Sequence, residues 1–251
     1  MRGLLSAIYS ACAYILFFVT FCYAIGFVEN AIVPKTIDSG PVGDPLISVL
    51  INSALLAVFA LQHSIMARPA FKRAWTKIVP AEAERSTYVV AASLALALLL
   101  WQWRPLPDLV WSISDPTLAT VATAISWAGF GIVLLSTFLI SHFHLFGVSQ
   151  GFARMLRLKA PDDQFVTPFL YRWIRHPLYL GFIIAFWAAP HMSVGHLFFA
   201  IATTAYIFIG IFLEERDLVA AFGERYREYR RKVGMLVPKL GRSRASRETM
   251  I

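Results

Sequence analysis

An all-α, polytopic membrane helical bundle of about six helices, the fifth short and both termini cytoplasmic, is predicted by three features of this sequence. Hydrophobic residues make up 58% of the 251 positions and charged residues only 15%, whereas soluble domains run at about 45–50% and about 25%. The apolar excess is gathered into runs close to the roughly 20 residues that cross a bilayer. Lysine and arginine fall on alternate connecting segments: 21 of the 23 lie before the first run, in 67–85, in 141–176 and after 213, leaving Lys35 and Arg104 for the other side. Basic residues concentrate on cytoplasmic loops, so both termini are expected there, which requires an even number of spans.

The first span is read at 4–28. It is too long for the short apolar region of a secretory signal, so a retained helix is expected. A turn-rich loop with Pro34 and Pro41 leads to the second span, 45–66, which ends near Gln62 and His63. The basic segment 67–85 precedes the third span, 86–103, where Trp101 and Trp103 sit at interfacial positions. A proline-rich loop over 104–115 leads to the fourth span, 116–140, and a long polar segment over 141–175 follows it. The last two spans form a hairpin, 177–189 and 193–213. Thirteen residues are short of a crossing, so the fifth either begins near Pro168 with a kink at Pro177 or is tilted or partly re-entrant. A single domain is expected over 1–240, with a disordered tail over 241–251.

The net charge of +8 invites a nucleic-acid reading, but its distribution between apolar runs is better explained by membrane topology. Cys12 and Cys22 lie ten residues apart in one helix, on different faces, and cannot bridge each other. No metal is expected, because His142-x-His144 lacks helical i, i+4 spacing and has no cysteine or glutamate at ligand spacing. Gly129-Phe130-Gly131 has no preceding strand and lies mid-span, so it reads as close helix packing and not as a nucleotide loop.

Polar residues gather at the cytoplasmic ends of the spans. Gln62, His63, His142, His144, Arg175, His176, Glu214, Glu215 and Arg216 fall in one stratum, and ionisable groups at helix depth are costly and point to function. His191 and His196 fall at the opposite turn. Two readings of the polar stratum are open at this point: a catalytic site, or a non-catalytic membrane binding or transport protein using its histidines.

The motif Arg175-His176-Pro177-x-Tyr179-x-Gly181, then Glu214-Glu215, then Phe222-Gly223-x-x-Tyr226-x-x-Tyr229 and 233–238, resembles the isoprenylcysteine carboxyl methyltransferase superfamily of membrane methyltransferases, which includes the NnrU-type proteins. Further segments narrow the resemblance to its methanethiol-methylating branch: Ala60-Leu-Gln-His-Ser, Met66-Ala-Arg-Pro69, Glu84-Arg-Ser-Thr-Tyr88, Trp101-Gln-Trp-Arg-Pro105 and Ser141-His-Phe-x-Leu-Phe-Gly147. The chain departs from that pattern at His144 and Ser149.

The resemblance implies S-adenosyl-L-methionine as methyl donor, with a cofactor-binding core over 171–238 that includes Tyr171, Arg175, His176, Pro177, Leu178, Tyr179, Gly181, Glu215 and Tyr226. It implies a small thiol, methanethiol, as acceptor and dimethyl sulfide as product; a prenyl-cysteine or lipid acceptor is the alternative. Proline can open a helix whose first N–H groups are free for a carboxylate. A thiol with a pKa at or above roughly 8.5 is mostly protonated at neutral pH, so a proton acceptor is needed. His142 is expected to fill that role, with Glu214 and Arg216 orienting, and Gln62, His63 and His144 lining the substrate pocket. A bacterial inner membrane with the site facing the cytoplasm is the expected location.

Overall fold

The computed structural model describes residues 2–159 and 165–239; the tail expected over 241–251 lies outside the described residues. In chain order the elements are α1 (Arg2–Val28), α2 (Pro45–Ala67), α3 (Pro69–Trp75), α4 (Ala81–Gln102), β1 (Leu109–Ser112), α5 (Pro116–Ile140), α6 (His142–Leu145), α7 (Val148–Leu156), a 3-10 turn (Phe169–Arg172), α8 (Pro177–Trp187), β2 (His191–Ser193), α9 (Val194–Phe222) and α10 (Glu224–Lys232). The protein is an all-α membrane bundle. Among the described residues, five helices, α1, α2, α4, α5 and α9, are long and apolar enough to cross a membrane, and α8 is a shorter apolar helix. Large apolar side chains such as Ile15, Val58, Leu134 and Phe212 face outward, as a lipid-facing surface requires.

Two ends of the bundle differ sharply. At the lysine-poor end the three loops interlock. The Ile37 N–H donates to the Phe27 carbonyl at 3.0 Å, and the Trp103 indole donates to the Ile37 carbonyl at 3.1 Å. Asn52 closes a two-way clamp on the backbone of Arg104, donating to its carbonyl and accepting from its N–H, both at 2.8 Å. The loop read as 104–115 contains a strand that sequence reading missed: β1 pairs antiparallel with β2, and the Ser193 hydroxyl reaches Asp38 of the first loop. Helices α2 and α5 start there with an aspartate cap, Asp44 and Asp115, followed by proline at the first helical position, which satisfies a free N–H and presets the backbone. The buried core sits against this end: Phe27, Ile37, Leu99, Trp103, Phe130, Phe186 and Phe199.

The lysine-rich end carries α3, α6, α7 and α10 and both ends of the described chain. Gly3 lies against the backbone of Arg154 and Met155 in α7. Here α8 begins at Pro177 itself, without the earlier start near Pro168 that sequence reading left open. Residue 169 instead opens a separate 3-10 turn, and Ile174 bridges to Gly234 in parallel. The 11 residues of α8 extend about 16 Å, half of a roughly 30 Å hydrocarbon core. It lies against α5 so closely that a Cβ on Gly129 would fall 2.6 Å from the Gly181 carbonyl oxygen, and one on Gly181 would fall 2.6 Å from that of Gly129. The Gly129-Phe130-Gly131 stretch is therefore a packing device at its first glycine; a Cβ on Gly131 meets nothing within 4 Å.

Candidate functional site

The short α8 leaves its N-terminus recessed within the lysine-rich end, and the chain before it is held in place by backbone pairing. The Arg175 N–H donates to the Gly234 carbonyl at 2.8 Å and the His176 N–H to the Met235 carbonyl at 3.1 Å. His176 is the N-cap residue and Pro177 the first helical residue, so the N–H groups of Leu178 and Tyr179 have no partner in the preceding turn of helix.

Glu214 and Glu215 approach this recess from α9. Twenty-one residues separate Val194 from Glu215, about 31 Å of helix, which is one hydrocarbon thickness. The pair is thus carried to the membrane boundary by helix length. Its members do different things. Glu215 is buried and saturated: Oε1 accepts from Arg175 Nε at 2.7 Å and pairs with His176 Nε2 at 3.0 Å, and Oε2 pairs with Arg230 Nε of α10 at 3.0 Å. Glu214 is 42% exposed and accepts one hydrogen bond, from the Tyr179 hydroxyl at 2.9 Å to Oε2, with His176 Nδ1 4.0 Å from the same oxygen. Glu215 therefore ties α8, α9 and α10 together, and Glu214 is the carboxylate with capacity for a ligand.

The C-terminal aromatics complete this wall. Tyr226 is buried, and the Tyr229 hydroxyl donates to the Tyr171 carbonyl at 2.5 Å. Burial raises the phenols of Tyr171 and Tyr226 above the ordinary tyrosine range and pushes Tyr229 up to about 12. All three are neutral hydrogen-bonding groups at physiological pH, not bases. Phe165 packs on Tyr226 and Tyr229 with ring centres 5.6 and 5.3 Å apart.

A second polar cluster is built by α2, α4 and α9. The Tyr88 hydroxyl lies 2.9 Å from His63 Nε2 and 3.0 Å from Nδ1, and His63 stacks on Phe59. The Tyr206 and Ser64 hydroxyls are 3.0 Å apart, and Arg68 pairs with Asp217 at 2.8 Å. The Tyr179 hydroxyl lies 3.8 Å from where a Cβ on Gly210 would sit, one turn of α9 beyond Tyr206, so the two clusters adjoin along α9. Gln62 donates to Met66 Sδ at 3.2 Å, and its buried carbonyl oxygen has no hydrogen-bond partner among the described residues. Tyr88, Tyr206, Arg68, Asp217 and Arg230 were not singled out from sequence as site residues. The signal available for them was their place at the ends of spans on the basic side.

His142 lies elsewhere, between α1 and α5. The Thr137 hydroxyl donates to the Leu134 carbonyl, so its oxygen accepts from His142 Nδ1–H at 2.8 Å. Nε2 then accepts from the Tyr14 hydroxyl at 2.8 Å. Phe138 stacks on the ring at 4.2 Å and Phe143 and Phe146 edge it. Burial holds the imidazole below its ordinary pKa, and its one proton-accepting atom is already engaged. His144 meets Gln150 at 3.1 Å through Nδ1, and its carbonyl accepts from Arg85. Arg216 is 63% exposed and lies 3.8 Å from Asp217 Oδ1. The structure thus brings Arg175, His176, Tyr179, Glu214, Glu215 and Tyr226 together. It sets His63 and Gln62 in the second cluster, Arg216 at the exposed edge of that cluster beside Asp217, and His142 and His144 outside these contacts. Among the described residues, no three His, Cys, Asp or Glu side chains are grouped so as to hold a metal ion.

Comparison with known proteins gives the same region a family. The model of the NnrU protein family matches residues 50–221. Methanethiol S-methyltransferase 1 of Bradyrhizobium diazoefficiens is 54% identical over 92% of this chain and 81% of its own. The methanethiol S-methyltransferase of Mycobacterium tuberculosis is 49% identical over 95% and 98%, and that of Pseudomonas deceptionensis 49% over 88% and 84%. No solved structure matches the chain. A recessed motif and paired glutamates carried by an apolar hairpin, together with near-complete alignment to these enzymes, mean that the chain belongs to the NnrU family of membrane proteins.

Proposed function

We propose that the protein is a thiol S-methyltransferase that transfers the methyl group of S-adenosyl-L-methionine to methanethiol and forms dimethyl sulfide. Relatives named for methanethiol methylation, 49–54% identical over most of the chain, support both the reaction and the acceptor. The observation that carries the site is the division of the glutamate pair: Glu215 closed into Arg175, His176 and Arg230, Glu214 open beside Tyr179.

The residues fit this donor. Its sulfonium and ammonium charges suit the open carboxylate of Glu214, its carboxylate suits the free N–H groups at the start of α8, and its adenine suits the half-buried rings of Tyr229 and Phe165, which Tyr226 backs from within. S-adenosylmethionine supplies an electrophilic methyl group there. The acceptor's S–H proton passes to a base, the thiolate sulfur forms the new S–C bond, and the methyl–sulfonium bond breaks with its electron pair staying on the departing sulfur. Charge is neutralised in this step, so a site screened from bulk water at the membrane boundary favours it. Two histidines compete for the proton. His63 sits beside Tyr88 in the second cluster; His142 requires Tyr14 to release Nε2. The His63→Gln and His142→Gln variants separate them, since the one that carries the proton loses turnover while donor binding persists.

Among the described residues, 18 of the 20 lysines and arginines lie at the α3, α7 and α10 end, which supports a cytoplasmic orientation for this site and an inner-membrane location in a bacterium. Headspace gas chromatography of the purified, reconstituted protein with S-adenosylmethionine and methanethiol tests the function. Dimethyl sulfide should accumulate; donor binding with no product would transfer the reading to a larger prenyl-thiol or lipid acceptor.

A further inference from the structure

An open cleft of about 500 Å³ borders the glutamate clamp and shares Arg175 and Arg230 with it; Arg227, Arg231, Lys239 and Met235 complete its lining. Five of its six lining residues are cations. Among the described residues, two carboxylates pair with them: Glu215 takes Arg175 and Arg230, and Glu224 takes Arg227 at 3.4 Å and Arg231 at 2.7 Å. The Lys239 ammonium donates to the carbonyls of Arg230 and Arg231, at 3.1 and 2.6 Å, and so offsets the negative end of the α10 dipole that would otherwise repel an anion. The wall therefore keeps an excess of positive charge in a hollow within the size of small-ligand sites, about 300–1,000 Å³.

That charge decides the ligand class. S-adenosylmethionine carries net positive charge and is repelled by such a wall. A phosphate ester is held by it, since guanidinium groups present paired N–H donors to phosphate oxygens. Position points the same way. The 29 residues of α9 run about 43 Å, about the thickness of a bilayer including its headgroups, and α10 begins two residues later. The cleft thus lies at headgroup level.

We propose that this cleft binds the phosphate of an anionic phospholipid headgroup. Occupancy would hold Arg230 and α10 against Glu215, coupling lipid composition to the integrity of the neighbouring site. The binding itself does not depend on the methyltransferase reading.

Native mass spectrometry of the full-length protein, with phosphatidylglycerol, phosphatidylcholine or inorganic phosphate added, tests it. The substitutions are R227Q, R231Q and K239Q, which spare the residues that touch Glu215. Wild type should retain phosphatidylglycerol over phosphatidylcholine, and the triple variant should lose at least about tenfold of that retention, as removal of three interfacial charges requires. The charge-preserving R227K/R231K/K239R protein should retain more phosphatidylglycerol than the triple glutamine variant and less than wild type, because lysine keeps the charge but not the paired N–H donors. Competition in wild type needs no variant: millimolar inorganic phosphate should displace phosphatidylglycerol. If phosphate binds and the lipid does not, the site takes a free phosphate and the lipid assignment fails. Equal retention of the two lipids by wild type, or undiminished retention by a folded triple variant, would overturn the proposal.

Discussion

The two ends of the bundle solve opposite problems with the same helices. At the lysine-poor end, loops are locked by backbone hydrogen bonds over an aromatic core, and polar side chains there, Asn52 and Ser193 among them, serve the backbone. At the lysine-rich end the charges serve one another: Glu215 gathers Arg175, His176 and Arg230, and Asp217 takes Arg68. The first end fixes where the helices emerge; the second uses that fixed frame to hold charged groups at the membrane boundary. Substitutions at the two ends should therefore behave differently: at the first they should cost stability alone, and at the second stability and donor binding together.

The largest effect is expected from Glu215→Gln. It leaves a buried Arg175, 9% exposed, without its counter-ion, and breaking such a pair costs about 3–5 kcal/mol. Donor binding and thermal stability should fall together, read by calorimetry and by melting in detergent. Gly129→Ala sharpens the boundary between the two regimes. Its Cβ would meet the Gly181 backbone at 2.6 Å, so α5 and α8 must separate, at a cost of about 1–3 kcal/mol. Turnover should drop with the melting temperature because α8 carries the recessed motif. Asn52→Ala lies wholly at the other end. It orphans the Arg104 N–H and carbonyl, at about 1–3 kcal/mol, and should lower the melting temperature while leaving the KM for the donor within about twofold of wild type.

Tyr179→Phe should be milder in stability, about 1 kcal/mol given the exposure of Glu214, yet cut turnover more than tenfold, as loss of an orienting hydrogen bond at a reacting centre does. The smallest effect concerns His142. Its folded pKa is lowered by burial from 6.5, so the unfolded chain binds the proton more readily. The stability it contributes is full above pH 6.5 and is lost as pH falls through the depressed value. Melting temperature against pH should decline below pH 6.5 in wild type and decline less steeply in His142→Gln.

Much of this was legible in the chain. Apolar runs marked the spans, Pro177 marked the start of α8, and the spacing from Val194 to Glu215 reflects a membrane thickness that any reader of helix rise can use. The motif 175–181 and Glu214–Glu215 could be paired because both fall at span ends on the basic side. The division of labour within the glutamate pair was not legible, since it depends on Arg230, which helical phase alone does not direct toward Glu215. The Tyr88–His63 contact was hidden for the same reason: 25 residues and a surface helix separate its partners. His142 shows the converse. Its residue type and location fitted a base, but Tyr14 and Thr137, which occupy its nitrogens, come from another span and from the turn before it.

The account rests on the lysine-rich end binding the methyl donor through the clamp that Glu215 closes. Isothermal titration of S-adenosylmethionine into wild type, Asn52→Ala and Glu215→Gln at a temperature where all three are folded tests this directly. Wild type and Asn52→Ala should bind alike and Glu215→Gln at least tenfold more weakly. Equal binding by all three, or no binding by wild type, would contradict it.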